Sequence, residues 1–97
     1  MKTYLIQRNV PNAGQLTADD RKKIAIRSCE VIDQLQQTGP HLQWIQSYVT
    51  DNNLWCVYKA ENEEILREHG IRGNFPVNNI FEIHSTFGPV TAGRTIQ

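Results

Sequence analysis

The order in which hydrophobic periodicities change along these 97 residues constrains the fold more than any motif does. A strand-like run over residues 3–10 gives way to an apolar stripe at three- and four-residue spacing. Two further strand-like runs, 42–50 and 54–60, flank Asp51-Asn52-Asn53. A short helical stretch and a last alternating run, 80–87, complete the chain. The resulting order, βαββαβ, is the split-βαβ or ferredoxin-like plan, an α+β fold. It predicts a four-stranded antiparallel sheet with both helices on one face. The other face stays bare unless a second copy or a ligand covers it.

Local chemistry agrees with this order. Pro11 stops the first strand, and Asn12-Ala13-Gly14 is turn chemistry. Thr17 is placed to cap the first helix, with Asp19 and Asp20 in its first turn where the dipole favours negative charge. Ile24, Ala25, Ser28, Val31, Ile32 and Leu35 form its apolar stripe, and Gly39-Pro40 ends it. Cys29, at the margin of the stripe, is expected to pack in the core. Asn62 caps the second helix, Ile65, Leu66 and His69 take its apolar side, and Gly70 or Gly73 closes it. Residues 1–87 are thus expected to form one domain, with 88–97 a tail or an arm over a partner.

Composition limits the partners. Ten Lys and Arg balance ten Asp and Glu, so no net field draws the chain to nucleic acid or to an anionic membrane. No run is long enough to span a bilayer, and the start shows no signal-peptide pattern, so a soluble cytoplasmic protein is expected. In that compartment Cys29 and Cys56 are expected to be free thiols.

No residue spacing specifies a metal site, a phosphate loop or a nucleophile elbow, so any site must be assembled in three dimensions. A three-residue hairpin loop would set Thr50 opposite Leu54 and Tyr48 opposite Cys56. Trp44, Gln46, Tyr48, Cys56 and Tyr58 would then share one face. Tyrosine and tryptophan carry polar tips that a dry core must satisfy one by one, so this wall reads as a cavity lining, with Trp44, Tyr48 and Tyr58 as ligand-binding positions. Cys56 is either a small buried hydrophobe or a thiolate ligand or reactive thiol in a pocket. His69 is either a packed histidine at a helix end or an imidazole ligand or base. Glu82 and His84 share a strand face two residues apart, the arrangement by which a carboxylate orients a metal-binding imidazole, although a solvated pair would look the same. Cys56, His69, Glu82 and His84 are therefore the candidate metal ligands. Ser28 has no base placed near it by the pattern.

The segments Tyr4-Leu5-Ile6, Pro11 with Gly14, Cys29-Glu30-Val31, 43–51, Cys56-Val57-Tyr58 and 67–76 carry a resemblance as well. Together they resemble a small bacterial family of unknown-function domains, one member of which is described as nickel-binding. The resemblance implies a ferredoxin-like protomer that dimerises sheet to sheet as a dimeric α+β barrel with a central cavity. It also favours nickel, or another divalent transition metal, as the bound ion. Imidazole and thiolate are suitable donors for such ions. The expected function is therefore a homodimeric metal-binding protein with a polar-aromatic cavity. The competing reading is a cofactor-free isomerase or monooxygenase of the dimeric barrel type, or a module that binds a small molecule in the cavity.

Overall fold

Alternation along strand β1 (Lys2–Asn9) decides which side of the sheet is covered. Tyr4, Ile6 and Arg8 are buried, whereas Leu5 and Gln7 are half-buried and Asn9 is exposed. In the computed structural model, which describes residues 1–94, β1 lies at the centre of one antiparallel sheet. It pairs with β3 (Asn53–Ala60) on one side and β4 (Asn79–Ile83) on the other, and β2 (Leu42–Val49) pairs with β3 to give the order β2-β3-β1-β4. Helices α1 (Ala18–Gln37) and α2 (Glu63–Gly73) cover the face to which Tyr4, Ile6, Cys56 and Tyr58 point. The α+β ferredoxin-like order expected from the sequence is the order observed.

The helices begin where capping chemistry places them. Thr17 Oγ1 accepts from the Asp20 amide at 3.1 Å, and the Asp20 carboxylate accepts from the Thr17 amide at 3.0 Å. This reciprocal capping box satisfies two otherwise unpaired donors. Asn62 caps α2 by accepting from the Ile65 amide at 3.1 Å. The apolar stripe of α1 delivers Val31, Ile32 and Leu35 to the core, where α2 adds Leu66; full burial of such a side chain is worth roughly 1.5–3 kcal/mol. At the end of α2, Asn74 takes the left-handed conformation (φ 57°) and Phe75 N donates to Gly70 O at 2.8 Å. That closure turns the chain sharply back over the core. Gly70 fits because a Cβ there would lie 2.7 Å from Val77 Cγ2 and 3.2 Å from Phe75 O.

Three expectations are corrected. The hairpin closes with Val49 opposite Leu54, so four residues, Thr50 to Asn53, lie between them rather than three, and Tyr48 pairs with Trp55 and not with Cys56. Because side chains alternate, that shift separates Gln46 and Tyr48 from Cys56 and Tyr58 and leaves them on the uncovered face. A bulge at Ile45 then returns Trp44 to the same face as Tyr58, its cross-strand partner. The last strand ends at Ile83 rather than at residue 87, since Ile83 pairs with Thr3 and the partner strand runs out one residue further on. Cys29 is exposed, not packed, because its position beside the stripe points it away from the sheet; it and the buried Cys56 are both free thiols. The expected tail begins with an exposed 3₁₀ turn at Pro89–Ala92, and residues 95–97 lie outside the described residues. Among the described residues, no helix is long and apolar enough to cross a membrane.

Candidate functional site

A polar cluster sits inside the apolar layer between helices and sheet. Its parts come from five places in the chain. Arg8 is the last inward residue of β1, Tyr58 and Cys56 come from β3, Ser28 from α1, His69 from α2, and Phe75 from the turn beyond α2. Ser28 Oγ lies 3.2 Å from the Tyr58 hydroxyl and 3.1 Å from His69 Nε2. Rings close the assembly: His69 stacks on Phe75 with centroids 5.5 Å apart, and Tyr58 lies against His69 at 5.3 Å. The Arg8 guanidinium stands 5.4 Å from the Phe75 centroid and 6.0 Å from that of Tyr58, within the range of a cation–π contact.

Burial sets the electrostatics. His69 is wholly buried; desolvation, reinforced by the Arg8 charge, lowers its pKa to about 4. The imidazole is therefore neutral near pH 7. Burial also raises the Tyr58 pKa, against the opposing influence of the Ser28 hydrogen bond and of Arg8. Two buried polar atoms among the described residues have no hydrogen-bond partner, Arg8 Nη2 and His69 Nδ1. Arg8 Nη1 is satisfied, donating to Pro76 O at 2.9 Å.

Beside this cluster, between α1 and the sheet, is a cavity of about 240 Å³. Its wall combines Arg8, Arg21, Ser28, Cys56 and Tyr58 with apolar surface from Leu16, Ile24, Ala25, Trp44, Leu54 and Phe75. No aspartate or glutamate takes part in the lining. Trp44 keeps its place through the bulge: its ring runs nearly parallel to Tyr58, 18° apart, and its Nε1 donates to Ser47 Oγ at 2.9 Å.

The predicted site residues divide into three groups. Trp44, Cys56 and Tyr58 line the cavity, and His69 adjoins it through Ser28. They lie under the protomer's own helices, so the wall of phenol, indole and thiol expected on the uncovered face belongs to the covered one. Tyr48 stands apart on the open face, 53% exposed. Glu82 and His84 meet near the outer edge of the sheet, with His84 Nδ1 3.2 Å from Glu82 Oε2 and Lys2 Nζ 3.8 Å from Glu82 Oε1. Sequence reasoning missed Arg8, although its two-residue spacing from Tyr4 and Ile6 marks it as inward-facing. It also set Ser28 aside, whose partner His69 is 41 residues away in the chain.

This arrangement suits some chemistry and not other kinds. The Ser28–His69 contact pairs a hydroxyl with an imidazole, yet no carboxylate holds the second ring nitrogen, and a proton affinity as low as that of His69 makes a weak base. The buried cluster does not fit a metal cation. Arg8 already places a positive charge there, and among the described residues no three His, Cys, Asp or Glu side chains converge on a metal-sized site. The Glu82–His84 pair offers two accessible donors and fits as part of a metal site.

Comparison with solved structures finds the same fold. The crystal structure of SCO4226 from Streptomyces coelicolor A3(2) matches with a TM-score of 0.72, covering 88% of this chain and 99% of that one at 10% sequence identity. No curated protein matches the chain. The sequence model of the nickel responsive protein SCO4226-like family matches residues 4–83, which takes in both helices and all of the sheet except the first two residues of β1. With so much of the domain matched, this chain belongs to the SCO4226-like family of nickel responsive proteins.

Proposed function

We propose that the protein takes part in nickel handling or sensing as a cytoplasmic homodimer, and that it holds the metal at the sheet edge through Glu82 and His84. The observation that carries this reading is the 3.2 Å contact between the two side chains. They are the two candidate ligands already in contact with each other, and the imidazole is open to solvent. Water would complete the coordination. Family membership supports nickel as the ion. Free thiols support a reducing compartment. A sheet-to-sheet dimer is supported by the uncovered face, where Tyr48 and Phe81 are each about half exposed beside Leu5, Trp55, Val57 and Ile83.

Calorimetric titration with nickel tests the metal site. The double substitution Glu82→Gln, His84→Ala is expected to weaken binding at least tenfold while leaving the melting temperature of the metal-free protein unchanged, since exposed ion pairs add little stability. Cys56→Ser is expected to retain nickel affinity. Equal affinity in the wild type and the double variant would move the site elsewhere. Light scattering that reports the mass of one chain at micromolar concentration would defeat the dimer.

A further inference from the structure

We propose that the cavity beneath α1 binds a small monocarboxylate with an apolar body, of the single-ring aromatic or short aliphatic kind, with Arg8 as its anchor. Arg8 is 2% exposed, and no carboxylate among the described residues pairs with it. Its Nη1 is held by Pro76 O, while Nη2 has no partner and the residue lines the cavity. A buried charge left in this condition is costly, and an anion in the adjoining space relieves the cost. A carboxylate matches a guanidinium in charge and in the directions of its lone pairs.

The rest of the wall narrows the ligand class. Arg21 adds a second cation to the wall and no acidic side chain lines it, so the field inside favours an anion over a cation or a neutral molecule. Most of the remaining lining is apolar, which suits one charged end and a hydrocarbon body and disfavours inorganic phosphate. The volume of about 240 Å³ lies below the roughly 300–1,000 Å³ of drug-sized sites, which limits the body to about one ring. The hydroxyl chain adds a second donor. If His69 Nε2–H donates to Ser28 and Ser28 donates to Tyr58, the phenolic proton is free at the cavity wall for the other carboxylate oxygen.

The probes are phenylacetate, its neutral isostere phenylacetamide, and inorganic phosphate, each tested by calorimetry and thermal shift on the full chain. Phenylacetate is expected to bind once per chain and raise the melting temperature, with at least tenfold preference over the amide, and phosphate is expected not to bind. Arg8→Met and the cavity-filling Ala25→Phe should each abolish binding. Glu82→Gln with His84→Ala should leave it unchanged, so failure of the nickel site and failure of this one are distinguishable. The proposal is overturned by equal affinity for acid and amide, by no shift with phenylacetate at millimolar concentration, or by retained binding in either cavity variant. Should Arg8→Met fail to fold, Ala25→Phe, at a half-buried helix position, decides the matter.

Discussion

The two faces of this sheet carry similar side-chain types and use them differently. Under the helices, Tyr58, Trp44 and Cys56 gather round a buried arginine, a serine and a neutral histidine. On the open side, Tyr48, Trp55 and Phe81 lie among Leu5, Val57 and Ile83 with no buried charge beside them. Aromatic residues alone therefore do not mark the binding face of such a sheet. The difference lies in whether neighbouring polar groups are satisfied, and the covered face is the one that holds orphaned polar atoms beside a cavity.

Substitution should separate the faces most sharply through stability. Leu66→Ala, at a position with no exposure, is expected to cost about 2–5 kcal/mol in urea unfolding. Val57→Ala on the open face should cost about 1 kcal/mol or less in the monomer and act mainly on dimerisation. A similar loss for both at all protein concentrations would erase the contrast.

Acidification probes the covered face next. The folded protein resists protonating His69 until about pH 4, whereas the unfolded chain takes up that proton near pH 6.5. Stability from this group is therefore full above pH 6.5 and is lost as pH falls from there towards 4. The loss is expected to be about 2–3 kcal/mol, and His69→Gln should remove it from the difference between matched pH series. A His69→Gln variant with the wild-type pH dependence would show that the imidazole titrates freely. Ser28→Ala should cost about 1–3 kcal/mol, because it strips a partner from both Tyr58 and His69. Ser28→Cys, which keeps a weak donor and acceptor, should cost less than Ser28→Ala. The smallest effect is expected at Cys29, where serine should change stability by less than about 0.5 kcal/mol. A thiol reagent should modify Cys29 quickly and Cys56 only slowly in the folded protein.

The sequence made the element order and both N-caps legible, because periodicity and capping are local. Thr17 with Asp20 and Asn62 with Ile65 act where the spacing puts them. The site was less legible because it depends on register and on long-range contact. One residue of difference in the hairpin loop parted Tyr48 from the face of Cys56 and Tyr58, and the bulge at Ile45 kept Trp44 on it. Nothing local announced that the Ser28 hydroxyl would meet His69. Of the two glycines expected to close α2, Gly73 is its last residue, and the missing side chain of Gly70 makes room for Val77 Cγ2 and Phe75 O.

Each face carries one tryptophan, Trp44 at the cavity and Trp55 on the open side. Fluorescence of the single-tryptophan variants Trp55→Phe and Trp44→Phe during a phenylacetate titration therefore reports each face separately. If the cavity under α1 is the ligand site, emission changes in Trp55→Phe, where only Trp44 remains, and stays constant in Trp44→Phe. A response from Trp55 with none from Trp44 would place the ligand on the open face and contradict the division of the sheet described above.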